Sequence, residues 1–241
     1  MRVATIVPIP HLGLTRGQGY HLALAHLVQH GRYRTFFHEE ENDGAFVIMD
    51  NGVVETGTPQ TPVQLLRSAE LLLPDEVILP DALLNRGPTL EMGERAMEFL
   101  SERLPWVSFM AVPQGETRDE WISCVLEMIY WPVACIGLSR FLTRHYRDRA
   151  SALMDVPDLV ESKKDIHLLG CPGDLSEFRR VEKAFPGRIR GVDSGIAAIC
   201  AQEGIRLETG FEKPKVDLHF ELGMNESLLA DNIKVWREAI P

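Results

Sequence analysis

Apolar residues in this chain fall into short, dense runs separated by longer stretches with helical spacing. The runs cover residues 2–9, 44–50, 76–81, 107–114, 133–138, 166–170, 189–192 and 216–220. Each is short, rich in Val, Ile and Leu, and apolar without strict alternation, as expected of strands buried on both faces of a parallel sheet. Helical patterns lie between them. Residues 19–30 place Leu24, Leu27 and Val28 on one face. Thr61-Pro62 reads as an N-cap and first-turn proline before Val63, Leu66 and Ala69. Thr89 precedes Gly93, Ala96, Met97 and Leu100 at helical spacing. Thr117 and Glu120 form a capping-box pattern ahead of Trp121, Val125 and Met128. Further helices are expected over 140–153, over 175–185 and over 195–202, where Gly204 can close the helix. Asn225 caps a last one carrying Leu229, Ile233 and Trp236.

Strands and helices thus alternate along the chain. With 241 residues and no linker, repeat or low-complexity tract, the pattern predicts an α/β fold: a single-domain (β/α)8 TIM barrel spanning residues 1–241. An open doubly wound sheet is the alternative, because closure is not written in the periodicity.

Composition narrows the function classes. Hydrophobic residues make up 45% and charged residues 25%, which suits a soluble protein with a full core. No apolar stretch approaches the ~18 residues needed to span a membrane. The opening MRVATIVPIP has too short an apolar run for a signal peptide. Cys124, Cys135, Cys171 and Cys200 are widely spaced with no C-x-x-C pair, which fits reduced thiols and a cytoplasmic location. A net charge of −10 argues against non-specific coating of nucleic acid, while leaving room for a local basic patch.

The polar residues at strand ends carry the chemistry. Asp50 ends the second predicted strand in the sequence Phe46 to Gly57, FVIMDNGVVETG, with Asn51 beside it and Glu55 close by. Asp81 ends the third, Gln114 and Gly115 the fourth, and Asp193 the seventh. Ser139 and Arg140 follow the fifth, and Glu221 the eighth. In a barrel all of these gather at the C-terminal mouth, where barrel enzymes place their active sites. Two carboxylates there suit glycosidic chemistry: one attacks the anomeric carbon while the other moves protons. Either could instead bind a metal, although no His pair stands at a strand end. His26 and His30 are four apart within the first predicted helix, a spacing that can hold a metal, but no third ligand is in register, so no metal is expected. Arg140, Arg144 and Arg147, at i, i+4 and i+7, read as a phosphate-contacting stripe or as a solvated face paired with Asp148.

The ordered series IMDNG, ILPD, VPQGE, IGLS, HLLG and GVDSG resembles the tRNA-guanine transglycosylase family. It is most similar to the short phage and bacterial members that insert 7-deazaguanines into DNA. The resemblance runs from about residue 46 to residue 195. It implies a base-exchanging glycosyltransferase (a pentosyltransferase) that replaces guanine in DNA with a preQ0-like base, without a cofactor. By the same resemblance Asp193 is the covalent nucleophile and Asp50 the general acid/base. Asp81, Gln114, Gly115, Gly137, Leu138 and Leu169 surround the base. The implied partners are DNA, with its guanine flipped out, and a free 7-deazaguanine base; a homodimer is left open. Where the tRNA enzymes have Ser-Gly-Gly-Phe after the first aspartate, this chain has Asn51-Gly52-Val53-Val54. Their Cys-rich zinc subdomain has no counterpart, since Cys200 is the last cysteine. The alternatives are a barrel enzyme acting on free nucleosides or tRNA, and a non-catalytic nucleobase-binding barrel.

Overall fold

The computed structural model describes residues 1–208 and 213–241. Eight strands form one parallel sheet: β1 (Arg2–Thr5), β2 (Tyr20–Leu24), β3 (Phe46–Asp50), β4 (Glu76–Ile78), β5 (Ser108–Ala111), β6 (Cys135–Ser139), β7 (Asp165–Leu169) and β8 (Ile189–Ser194). Their order is β1-β8-β7-β6-β5-β4-β3-β2, with β1 and β2 side by side at the seam. The sheet is a nearly closed (β/α)8 barrel. Its helices are α1 (Gly31–Asn42), α2 (Val53–Thr56), α3 (Pro62–Leu72), α4 (Arg86–Ser101), α5 (Arg118–Met128), α6 (Arg149–Met154), α7 (Pro157–Glu161), α8 (Ser176–Ala184), α9 (Ile196–Gln202) and α10 (Glu226–Ala239), of which α2 lies at the barrel mouth.

Period-2 geometry divides each strand between two cores. Val47, Met49, Val77, Leu79, Ile136, Leu138, Ile166 and Leu168 face the helices. Ala4, Tyr20, Leu22, Leu24, Ile48, Ile78 and Met110 fill the barrel. Both sides are therefore mostly apolar, which is why most of the strands appear in sequence as dense apolar runs.

Two sequence expectations are corrected. Residues 19–30 do not form a helix: they contain β2 and a 3₁₀ turn, Ala25–Leu27. All five residues of β2 are buried, including His21, whose Nε2 meets Glu40 Oε2 at 3.1 Å. The helix lies further on, as α1, which is mostly polar and buries only Tyr33, Phe36, Phe37 and Glu40. Residues 216–220 are not a strand, and the eighth strand is Ile189–Ser194. Val216 is exposed, and the segment crosses the barrel mouth, tied down by Gln202 Nε2 donating to the Asp217 carbonyl at 3.0 Å and by the Ile9 amide donating to the Phe220 carbonyl at 2.8 Å.

Smaller shifts follow from helix packing. α3 has the expected Thr61 N-cap, completed by Gln64 into a capping box, but it buries Leu65, Ser68, Ala69 and Leu72, leaving Val63 exposed. α5 is capped by Thr117, while the Glu120 carboxylate reaches the Glu116 amide instead of closing the box. The helix expected over 140–153 is a 3₁₀ turn, Arg140–Arg144, followed by α6, whose N-cap is Asp148.

Candidate functional site

A cavity of about 760 Å³ opens at the C-terminal ends of the strands. Asp50, Asp81, Gln114, Leu169 and Asp193 all line it, although they come from β3, β7, β8 and the loops after β4 and β5. Glu55 and Arg140 stand on the same wall.

Asp50 is held by its local chain, and Asp81 by partners distant in sequence. Asp50 Oδ2 accepts from the Gly52 amide at 2.9 Å, an Asx-turn that ends β3. Gly52 has φ +79°, a left-handed conformation that favours glycine there. Asn51 is turned the other way and is not on the wall. Its Nδ2 donates to Asp81 Oδ1 at 2.7 Å and to the Leu79 carbonyl at 2.8 Å, and its Oδ1 accepts from the Val53 amide at 2.9 Å. Gln114 Nε2 donates to Asp81 Oδ2 at 2.7 Å, while its Oε1 accepts from the Leu84 amide at 3.0 Å. Asp81 is thus clamped between two amides on the cavity wall, and Asn51 supports it from behind.

Burial lifts the Asp50 carboxyl well above its ordinary range; the charge of Glu55 adds to this, and Asp193 and Asp81 contribute further. Burial also pushes Asp81 up to about 6, against the pull of its Asn51 and Gln114 donors. This fixes the sign of a pH effect. Between the unfolded value of 3.8 and about 6, folded Asp81 keeps a proton that the unfolded chain has lost. That stabilisation is complete below the lower value and lost as pH rises through the upper one, on the order of 3 kcal/mol. Asp50 shifts in the same direction. Asp81→Asn should therefore flatten the fall in stability between about pH 4 and 6. Urea midpoints measured across that interval test it, and an unchanged slope would mean that Asp81 ionises freely in the fold.

Other expected site residues lie off the wall. Gly115 packs on the start of α5, where an added Cβ would come within 2.4 Å of the Trp121 amide nitrogen. Gly137 faces the barrel interior, and a Cβ there would meet Leu169 Cδ1 at 2.7 Å. Leu138 points outward into the helix layer, because strand alternation sends it opposite to Gly137. The arginine stripe is broken as well. Arg140 and Arg144 are in a 3₁₀ turn and Arg147 is beyond it, so an α-helical face does not exist. Of the three, Arg140 alone lines the cavity; Arg144 and Arg147 are exposed, and Arg147 pairs with Asp148 at 3.2 Å. His26 is on the cavity wall and His30 precedes α1, so they share no helix. Glu221 is exposed and outside the lining. Among the described residues no group of three or more His, Cys, Asp or Glu is placed to hold a metal, and no helix is long and apolar enough to cross a membrane. The four cysteines are free and buried.

No family model matches this chain, and no curated protein matches it.

Sequence reading missed part of the site. Lys213 and Lys215, from the segment crossing the mouth, join Arg140 on the cavity wall. Burial lowers the Lys213 ammonium to about 8, with the Arg140 charge pushing the same way, and its Nζ donates to the Cys171 carbonyl at 3.2 Å. A second omission is His167, fully buried inside the barrel, whose Nε2 lies 3.0 Å from Asp193 Oδ1. Its sole signal in sequence is a polar residue in the run DIHLL, between Ile166 and Leu168, which face outward.

Proposed function

We propose that this chain is a base-exchanging glycosyltransferase that replaces guanine in DNA with a 7-deazaguanine through a covalent aspartyl-glycosyl intermediate. The observation that carries the reading is the convergence of Asp50 and Asp193 on one cavity wall with the clamped Asp81–Gln114 pair. In this reading an Asp193 oxygen attacks C1′ of the target nucleoside. The C1′–N9 bond breaks, its electron pair goes to N9, and protonated Asp50 gives the leaving base its proton. The incoming base then loses its N9 proton to Asp50, N9 attacks C1′, and the Asp193–C1′ ester bond breaks. The raised Asp50 carboxyl suits this role, since one group must hold a proton in one half-reaction and take it back in the next. Asp81 accepts from the N–H edge of a guanine-like base. Arg140, Lys213 and Lys215 are the cations on the wall available to a backbone phosphate.

A second reading is a free nucleoside substrate. It is favoured by the acidic net charge of −10 and by the exposed positions of Arg144 and Arg147 outside the cavity lining. Incubation with labelled guanine and either DNA, tRNA or nucleosides separates the readings. Label in DNA alone is the expected result. Label in nucleosides alone establishes the second reading, and label in none of the three leaves a nucleobase-binding barrel.

A further inference from the structure

A chain of buried polar groups crosses the barrel interior and ends at Asp193. At its far end Glu76, the first residue of β4, is fully buried and takes both terminal nitrogens of Arg190. Arg190 points inward because of a β-bulge. Ile166 pairs with Ile189 and His167 with Gly191, so Arg190 is the extra residue between the two pairs. Arg190 Nε donates to the Tyr20 hydroxyl at 3.2 Å. That hydroxyl sits 2.8 Å from His167 Nδ1, and His167 Nε2 sits 3.0 Å from Asp193 Oδ1. Gly191 makes room for the crossing: an added Cβ would come within 2.6 Å of the Tyr20 ring.

The direction of these hydrogen bonds follows from their chemistry. A guanidinium has donors only, so the Tyr20 oxygen accepts from Arg190. The hydroxyl has one proton, and its other partner is His167 Nδ1. That proton therefore goes to Nδ1, which leaves the imidazole hydrogen on Nε2, aimed at Asp193. Asp193 Oδ1 also accepts from the Gly170 amide at 3.3 Å. Among the described residues neither oxygen has a further donor, so Oδ2 is left to face the cavity.

We propose that His167 is the positioning residue for Asp193, with its tautomer set by Tyr20 and anchored by the Arg190–Glu76 pair. It is too deeply buried to touch substrate. It fixes the carboxylate by one oxygen so that the other presents a lone pair to the reacting carbon, and rotation of a carboxylate by a fraction of an ångström is costly in a near-attack geometry. What Asp193 does rests on the proposed function; how it is held does not.

Two measurements test this. The first is long-range ¹H–¹⁵N NMR of the histidine rings, with the His167 signal assigned by its loss in His167→Gln. The wild-type ring should be the Nε2–H tautomer, and Tyr20→Phe, which keeps the ring but removes the proton donor, should yield a mixture. An Nδ1–H ring in the wild type, or no change in Tyr20→Phe, overturns the proposal. The second is base-exchange kinetics. Tyr20→Phe and His167→Leu should lower kcat roughly 10- to 100-fold with KM within about twofold, as for a misplaced reacting group. His167→Gln, whose side-chain amide can still donate toward Asp193, should recover most of the loss. Thermal melts confirm that each variant is folded. Folded variants with unchanged kcat, or a His167→Gln no better than His167→Leu, overturn the positioning role. If the wild type exchanges no base with any polymer or nucleoside, the proposed function falls, and the NMR result alone decides this inference.

Discussion

Asp193→Asn is expected to abolish the covalent protein–DNA adduct and to cut base exchange by about 10⁴-fold or more, the scale seen when an enzyme loses its nucleophile. An amide is a poor nucleophile, so no bond to C1′ can form. Asp50→Asn acts differently. In the proposed reaction Asp50 moves protons, and loss of a positioned acid/base group costs on the order of 10²–10⁴-fold in rate. It should block turnover without blocking substrate binding. Denaturing gel electrophoresis after incubation with guanine-containing DNA reads both. A slow-migrating adduct that persists in Asp193→Asn and vanishes in Asp50→Asn would reverse the roles. Full exchange activity in both variants would remove both residues from the chemistry. Asn keeps the shape of Asp, and the Asp50 turn needs one acceptor oxygen for the Gly52 amide, which Asn supplies.

Arg149→Met should destabilise the fold by roughly 3–5 kcal/mol, because it leaves the Glu177 carboxylate buried without a partner. Both side chains are almost wholly inaccessible. Arg149 Nη2 donates to Glu177 Oε2 at 2.7 Å, and its Nε and its own backbone amide donate to Glu177 Oε1 at 3.1 and 2.9 Å. Its remaining nitrogen donates to the Leu138 and Leu169 carbonyls at 3.2 and 3.1 Å. One guanidinium thus ties the ends of β6 and β7 together, directly beneath the cavity wall that Leu169 lines. For a chain of this size the loss corresponds to a drop in Tm of roughly 6–20 °C. The double variant Arg149→Met/Glu177→Leu removes the stranded charge and should regain most of the stability. A single variant melting within about 2 °C of the wild type would mean that the pair braces nothing.

The residues that close the barrel and hold the site were unequally legible. β3 could be read from FVIMD because a strand buried on both faces has nowhere to put polar residues until it emerges. The same logic placed Asp50, Asp81, Gln114 and Asp193 at one mouth, since a parallel barrel sends every strand end to the same side. β2 defeated that logic. Its His21 breaks the apolar run and is satisfied by Glu40, nineteen residues away on α1. Leu24 at the end of β2 and Leu27 and Val28 after it happen to fall at helical spacing. With β2 hidden, the apolar pattern supplies its eighth run at residues 216–220, which instead cross the mouth, next to Lys213 and Lys215 on the cavity wall.

Sequence by itself determined the α/β alternation, the strand-end acids and the caps of α3 and α5, because each depends on neighbours within a few residues. Tertiary structure alone decided which of those acids are clamped, which arginine reaches the cavity and how Asp193 is held. The chain from Glu76 through Arg190, Tyr20 and His167 to Asp193 joins four strands across separations of 114, 170, 147 and 26 residues. One extra residue in β8 turns Arg190 inward to complete it. Such contacts leave no periodic trace in a sequence, because their partners are neighbours only after the barrel has closed.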